Sequence, residues 1–189
     1  YIALRLMQMT QNGVDKLENF VKFDSLTGVL TRHYFLESVR VRIGEGGLLF
    51  LVDADHFKAI NDTYGHDVGD EALRVIGAAL NMATPETALI GRIGGEEFAV
   101  FLPAVSTSDV TRHAEAIKQL IASRGETVGE HAVGLTVSIG VAEIGKGSTL
   151  TILMKEADEN LYVAKRSGRN RYVFSRSDPG LKKPDLKAV

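Results

Sequence analysis

The sequence predicts an α/β domain with a mixed central sheet of the split βαβ type, flanked by helices. Three features point to it. Gly47-Leu48-Leu49-Phe50-Leu51-Val52 is an unbroken apolar run of strand length, as in a central strand covered on both faces. From Val133 to Val141 apolar residues alternate strictly with Gly134, Thr136, Ser138 and Gly140, the pattern of a half-buried strand. Segments with helical spacing lie between and around these runs. The order is helix, strand, helix, strand–hairpin–strand, helix, strand, helix, short strand.

Composition narrows the function classes. The chain has 189 residues, 44% of them hydrophobic, enough for one ordinary domain with extensions. A formal charge of −2 gives no basic field, so no nucleic-acid partner is expected. Without cysteine there is no disulfide framework and no thiol chemistry, which suits a reducing cytoplasm. No apolar run approaches the ~18 residues of a membrane span, and no signal peptide is visible. The start at Tyr1 rather than Met is what a piece of a longer protein would show. A cytoplasmic location is expected, free-standing or as the cytoplasmic part of a membrane-anchored protein. Any upstream sensory domain lies outside this sequence.

Residues 1–23 carry Ile2, Leu6, Met9, Val14, Leu17 and Val21 at helical spacing. Two readings stand: the end of a signalling helix that pairs with a second copy, or a helix packed on its own domain. In the following FDSLTGVLTRHYF, Gly28 permits a sharp turn and Thr31 can cap the next helix. An Asp24–Arg32 contact could clamp that turn. A helix over 32–43 would turn Phe35, Val39 and Ile43 inward.

The buried strand at 47–52 runs straight into Asp53-Ala54-Asp55. A carboxylate at such an exit is poorly solvated and needs a partner. Ligands in α/β folds bind at these strand ends. Asp53 is therefore a metal-ligand candidate, with the Ala54 carbonyl beside it; a solvated strand-end Asp is the alternative. Phe57 to Asn61 has the look of a short helical turn whose free N–H groups could hold phosphates. Lys58 either supports that loop, offsets phosphate charge or is simply solvated. Asn61 and Asp70 suit a base edge. Guanine presents two adjacent donors that one carboxylate accepts together, and adenine has no such pair. The alternative is that Asp67 and Asp70 cap a helix at 70–81, with Leu73, Ile76 and Leu80 inward.

Thr84-Pro85-Glu86 breaks the chain before a strand beginning at Leu89. That strand stops at Gly94-Gly95 and resumes as Phe98-Ala99-Val100-Phe101-Leu102, which predicts a two-residue hairpin with positive φ at both glycines. Glu96 and Glu97 sit at its mouth. Like charges side by side are costly unless a cation joins them, and a divalent metal carrying a phosphorylated substrate would supply one. On a regular strand the two would face opposite ways, so only a distorted turn lets both serve one site. Arg92 either neutralises these acids, holds the hairpin or is a plain surface cation. An amphipathic helix follows at 107–122 (Val110, Ala114, Ile117, Ile121), then the alternating strand, then a helix from Leu150 to Ala164 with Leu153, Ala157 and Leu161 inward. Gly168 suits its C-cap. Lys165 and Arg169 stand four apart and either meet a triphosphate's terminal groups or complement the helix C-terminus. Arg171 to Phe174 is a last strand, and 175–189 a polar, flexible tail.

Five motifs occur in order: Asp24-x-Leu26-Thr27-Gly28 with Arg32; Asp53-Ala54-Asp55; Asn61-Asp62 with Gly65-His66-Asp67-x-Gly69-Asp70; Arg92-Ile93-Gly94-Gly95-Glu96-Glu97-Phe98; and Ala157-Asp158-x-x-Leu161-Tyr162-x-Ala164-Lys165. Over about residues 24–174 the chain resembles the GGDEF-domain diguanylate cyclases, in the form with Glu at the third position. The resemblance implies a fold similar to class III nucleotide cyclases and polymerase palms, and condensation of two GTP into cyclic di-GMP. It implies Mg²⁺ or Mn²⁺, two per site, held by Asp53, the Ala54 carbonyl and Glu96, with Glu97 completing the metal site or acting as base. Asn61 and Asp70 would contact guanine; Phe57, Lys58, Lys165 and Arg169 would face the phosphates. Each domain would hold one GTP, so a homodimer would be part of catalysis. A catalytically silent GTP-binding module and a single-nucleotide cyclase are the competing readings.

The family's inhibitory Arg-x-x-Asp, five residues before the glycine pair, is absent: Pro85-Glu86-Thr87-Ala88 stands there. No inhibitory site is expected, and calorimetry should show no submicromolar cyclic di-GMP binding at these residues. Other chemistries lack their motifs: there is no P-loop, no Gly-x-Ser-x-Gly elbow and no spaced His pair for zinc.

Overall fold

The computed structural model describes residues 22–145 and 147–175. The expectations for the N-terminal helix and the tail fall almost wholly outside them. The described elements, in order, are β1 (Leu30–Thr31), α1 (Arg32–Arg42), β2 (Gly47–Ala54), α2 (Phe57–Tyr64), α3 (His66–Ala83), β3 (Leu89–Arg92), β4 (Glu97–Pro103), α4 (Val110–Arg124), β5 (Thr127–Val128), β6 (His131–Ala132), β7 (Val137–Ile144), α5 (Leu150–Arg166) and β8 (Tyr172–Phe174). Short 3₁₀ turns cover Ile43–Glu45 and Thr107–Asp109.

Six strands form one sheet in the order β1-β3-β4-β2-β7-β8, and β5-β6 is a separate small hairpin. β1–β3 and β7–β8 are parallel; the other pairs are antiparallel. The mixed α/β expectation is therefore met. β2 is buried along its whole length, and its period-2 geometry feeds two cores. Leu48, Phe50 and Val52 pack with α2, α3 and α4 through Ile60, Leu73, Ile76, Leu80, Ile117 and Ile121. Leu49 and Leu51 pack with α1 and α5 through Phe35, Val39, Leu153, Ala157 and Leu161.

Several local expectations are corrected. Arg32 does not meet Asp24; its guanidinium donates to the Ile93 carbonyl at 2.7 Å, while Asp24 pairs with Arg92 at 3.2 Å. Arg32 thus ties α1 to the base of the hairpin loop. Thr31 sits at the N-cap of α1 without a side-chain cap bond. The helix predicted at 70–81 starts at His66, because Gly65 at φ 90° ends α2 and opens α3. Asp70 therefore lies in the second turn and caps nothing; Asp67 is the acid of the first turn. The predicted turn at 57–61 is a full helix to Tyr64.

The alternating strand is not half-buried. It begins at Val137, and all its residues but Glu143 are buried. Its small residues face α5: a Cβ on Gly140 would drive into the Ala157 carbonyl oxygen and the Leu161 amide nitrogen. At Gly140 the small residue marks a close helix–strand contact, while Thr136 and Ser138 donate to the buried Asp55 carboxylate.

Candidate active site

The site grows from the ends of β2 and β4. These strands run antiparallel with Asp53 opposite Glu97, so the two carboxylates are direct cross-strand neighbours, normally a destabilising pair. Glu96 belongs to the turn. Its carbonyl accepts the Ala54 N–H at 3.2 Å, which pulls the turn onto the exit of β2. The glycine pair is not a two-residue hairpin, and neither Gly94 nor Gly95 has positive φ. The Ile93 and Gly94 amides both donate to the Glu97 carbonyl, at 2.8 and 3.2 Å, so the loop is Gly94-Gly95-Glu96. Gly94 is small because the Glu97 side chain folds into the space a Cβ would fill. Arg92 holds the hairpin: it donates twice to the Gly95 carbonyl, at 2.7 and 3.1 Å, and pairs with Asp24. Burial works against the charged form of Asp24, but the Thr27 hydroxyl and amide and Arg92 hold its carboxyl below the usual range.

Asp53 is 5% exposed. Burial pushes its carboxyl up; Lys165, paired at 2.8 Å, pulls it down; the charges of Glu96 and Glu97 raise it again. A buried anion thus faces two more anions with one lysine to compensate. The sign of the consequence follows. A carboxyl raised in the folded state binds its proton more tightly there than in the unfolded chain. The stability it contributes is complete below the ordinary carboxylate value and is lost as pH rises through the raised folded value. Asp53→Asn removes this cost. We expect a melting temperature higher by roughly 2–4 °C near neutral pH, the equivalent of about 1 kcal/mol for a domain of this size, in scanning calorimetry without nucleotide or metal.

Asp53 and Glu96 carry carboxylate oxygens, the donor type that hard cations take. Among the described residues no group of three or more His, Cys, Asp or Glu could enclose a metal by itself.

The other candidates sit around this rim. Asn61 on α2 lies against Gly69 of α3, in the space a Cβ there would take. Asp70 and Lys58 are exposed. The Phe57 side chain is in the core, so only its backbone amide is available. The first hydrogen bond of α2 runs from Ile60 N–H to the His56 carbonyl, leaving the Phe57, Lys58 and Ala59 amides without an intrahelical acceptor. Lys165, on α5, meets Asp53 directly. Arg169 lies beyond Gly168, and its N–H caps the helix at the Ala164 carbonyl, 3.1 Å away. An open cavity of about 210 Å³ between the hairpin and α5 is lined by Glu97, Asp158, Glu159, Leu161, Tyr162 and Lys165. Pro85–Ala88 forms a turn after α3, closed by the Ala88 N–H on the Pro85 carbonyl at 2.9 Å.

Two polar residues carry more structure than their sequence positions suggest. Asp55 is buried and accepts from Thr136, Ser138 and Asn170. Asn160, also buried, donates to the Val141 carbonyl at 2.7 Å and accepts from Ser175. Each lies in a stretch that sequence reasoning had singled out for a neighbour. The usable signal was an uncommitted polar residue at the end of, or within, an otherwise apolar element.

Comparison with known proteins identifies the family. The family model described as "Diguanylate cyclase, GGDEF domain" matches residues 21–171. The response regulator PleD of Caulobacter vibrioides is 40% identical over 178 residues, 89% of this chain and 39% of PleD. The diguanylate cyclase VdcA of Vibrio cholerae is 35% identical over 163 residues, 84% of this chain and 48% of VdcA. The chain thus spans half or less of the length of these curated relatives. Among solved structures, the coiled coil and GGDEF domain of DgcB from Caulobacter crescentus, in complex with c-di-GMP, superposes with a TM-score of 0.84 at 28% identity, covering 92% of this chain and 95% of that one. The diguanylate cyclase SiaD from Pseudomonas aeruginosa, in complex with its activator SiaC, gives a TM-score of 0.79 at 36% identity, covering 92% and 69%. With a family model spanning most of its length and a mixed sheet that places the acidic hairpin at the exit of β2, the chain belongs to the GGDEF-domain diguanylate cyclase family.

Proposed function

We propose that this chain condenses two GTP into one cyclic di-GMP and two pyrophosphates. The observation that carries the reading is the gathering of Asp53, Glu96 and Glu97 at the ends of two interior strands, with Lys165 as the counter-charge on Asp53. Such a cluster is costly in a ligand-free fold and makes sense where cations are expected.

Asp53, the Ala54 carbonyl and Glu96 would hold Mg²⁺ or Mn²⁺, two per site. Such ions supply charge neutralisation at the α-phosphate and lower the pKa of the attacking 3′-hydroxyl. Lys165 and Arg169 bind the terminal phosphates, Lys165 by exchanging Asp53 for a phosphate oxygen. The amides at the start of α2, with Lys58, add donors from the opposite side. Asp70 accepts guanine's N1–H and N2–H while Asn61 bonds its remaining acceptors. Glu97 either joins the metal ligands or takes the 3′-hydroxyl proton. In each half-reaction a 3′-oxygen bonds to the α-phosphorus of the other GTP, and the bond to pyrophosphate breaks. One domain orients one nucleotide, so two copies must face each other, and most of the acceleration comes from orientation and charge placement. An upstream sensory segment and a cytoplasmic location complete the proposal; among the described residues no helix is long and apolar enough to cross a membrane.

Incubation with GTP and Mg²⁺, followed by mass identification of products, tests it. Cyclic di-GMP with pyrophosphate supports the reading. Cyclic GMP or unchanged GTP overturns it. Asp70→Ala should reduce the preference for GTP over ATP by ~10²-fold or more, since a site built to accept two donors rejects a base lacking them. An unchanged preference in competition assays would remove Asp70 from base recognition.

A further inference from the structure

Asp55 lies two residues beyond Asp53 but is turned to a different task. Its side chain is 4% exposed, and both oxygens are occupied by protein donors. Oδ1 accepts from Ser138 Oγ at 2.7 Å. Oδ2 accepts from Thr136 Oγ1 at 2.8 Å and from the backbone N–H of Asn170 at 3.0 Å. The Asn170 contact joins the end of β2 to the link between α5 and β8.

That link has an unusual backbone. Arg169 and Asn170 are consecutive non-glycine residues in the left-handed region, at φ 59° and 46°. Such conformations persist where the surroundings over-determine them. The Arg171 side chain donates to the Arg169 carbonyl within the link, at 3.1 Å, and three further attachments hold the link to its surroundings. The Arg169 N–H bonds the Ala164 carbonyl, the Arg171 carbonyl accepts the Ile139 N–H at 2.9 Å, and the Asn170 N–H reaches Asp55. The first belongs to the link's own helix and the second to the adjacent strand. Asp55 ties the link to the strand that carries Asp53.

We propose that Asp55 is a positioning residue for Arg169. It fixes the backbone from which Arg169 reaches the substrate's terminal phosphates, acting through the Asn170 amide and not by ligating metal. This rests on the reading of Arg169 as a phosphate contact. A metal at Asp55 would have to displace three donors, each at hydrogen-bond distance. The same geometry makes asparagine a faithful replacement. Its Oδ1 can take the Asn170 and Thr136 donors, while its Nδ2 donates to Ser138 Oγ, a hydroxyl that accepts as readily as it donates.

The test is calorimetric titration of the full chain, in Mg²⁺, with a non-hydrolysable GTP analogue and with GMP, which lacks the terminal phosphates. Arg169→Ala should weaken analogue binding roughly tenfold or more, the usual effect of losing a charge-assisted hydrogen bond, and leave GMP unchanged. Asp55→Ala should show the same pattern, and Asp55→Ala/Arg169→Ala should bind the analogue no more weakly than Arg169→Ala alone. Asp55→Asn should bind like the parent. Additive losses in the double variant would overturn the proposal, as would an Asp55→Asn variant impaired as much as Arg169→Ala. If the alanine variant does not fold, Asp55→Asn decides: parental affinity supports the proposal and loss refutes it. If Arg169→Ala itself leaves the analogue unaffected, the phosphate reading of Arg169 fails and the proposal falls with it, an outcome distinct from failure of the coupling.

Discussion

Alanine at Asp53 or at Glu96 is expected to lower cyclic di-GMP formation by ~10³-fold or more, because several kcal/mol of charge stabilisation at the reacting phosphate disappear with the cation's ligand. Both variants should still melt cooperatively. Asp53 sits at the last turnout of β2, and the pairing of β2 with β4 and β7 along its apolar length does not depend on its carboxylate. Lys165, whose side chain is 34% exposed, can turn to solvent once its partner is gone. Glu96 contributes its carbonyl to the Ala54 amide, a contact alanine keeps. Product formation with GTP and Mg²⁺, measured beside a thermal melt, checks both parts. Retained turnover in either variant removes that residue from the metal site. Asp53→Asn sharpens the result: it should be more stable than the parent and equally inactive, which separates the cost of the site from its use.

Gly140→Ala is expected to be among the most damaging single substitutions in the sheet, by ~3 kcal/mol or more. The added methyl would meet backbone atoms of α5, the Ala157 carbonyl and the Leu161 amide. Backbone cannot step aside as a side-chain tip can, so helix and strand must separate. That separation also moves Lys165, one turn further along the same face from Leu161. The variant should therefore show both a lowered denaturation midpoint and weakened binding of a GTP analogue in the fraction that remains folded. A midpoint within the range of an ordinary surface substitution would show that α5 does not depend on this close approach.

The legible parts of the chain are those where one residue type does one job. The buried β2, the inward faces Phe35–Val39, Leu73–Ile76–Leu80, Val110–Ala114–Ile117–Ile121 and Leu153–Ala157–Leu161, and the acidic hairpin all follow from periodicity and charge. Where the reading failed, a residue answered to something distant. Gly140 looks merely permissive in the sequence but is small because α5 lies on it, and no local pattern records a helix that arrives twenty residues later. Gly94-Gly95 invites a tight turn, yet the Glu97 side chain and the pull of Ala54 on the Glu96 carbonyl widen it. Asp24 and Arg32 are near in sequence, but Arg92 and Ile93 outcompete that pairing from the neighbouring strand. Asp55 was hidden by Asp53: two carboxylates on one strand end read as one feature, and only the positions of Thr136, Ser138 and Asn170 tell them apart. Lys165 was legible as a cation near phosphate, whereas its pairing with Asp53 needed the sheet to be assembled.

The two cores lie on opposite sides of the sheet, and the residues proposed to hold the nucleotide divide between them. Asn61 and Asp70 ride on the layer that contains Ile60 and Leu73, while Lys165 and Arg169 ride on the layer that contains Leu153 and Leu161. A guanine nucleotide spanning them would act as a keystone between slabs otherwise joined through the strands. Occupancy would then add a link between the two helix layers that the sheet alone does not make.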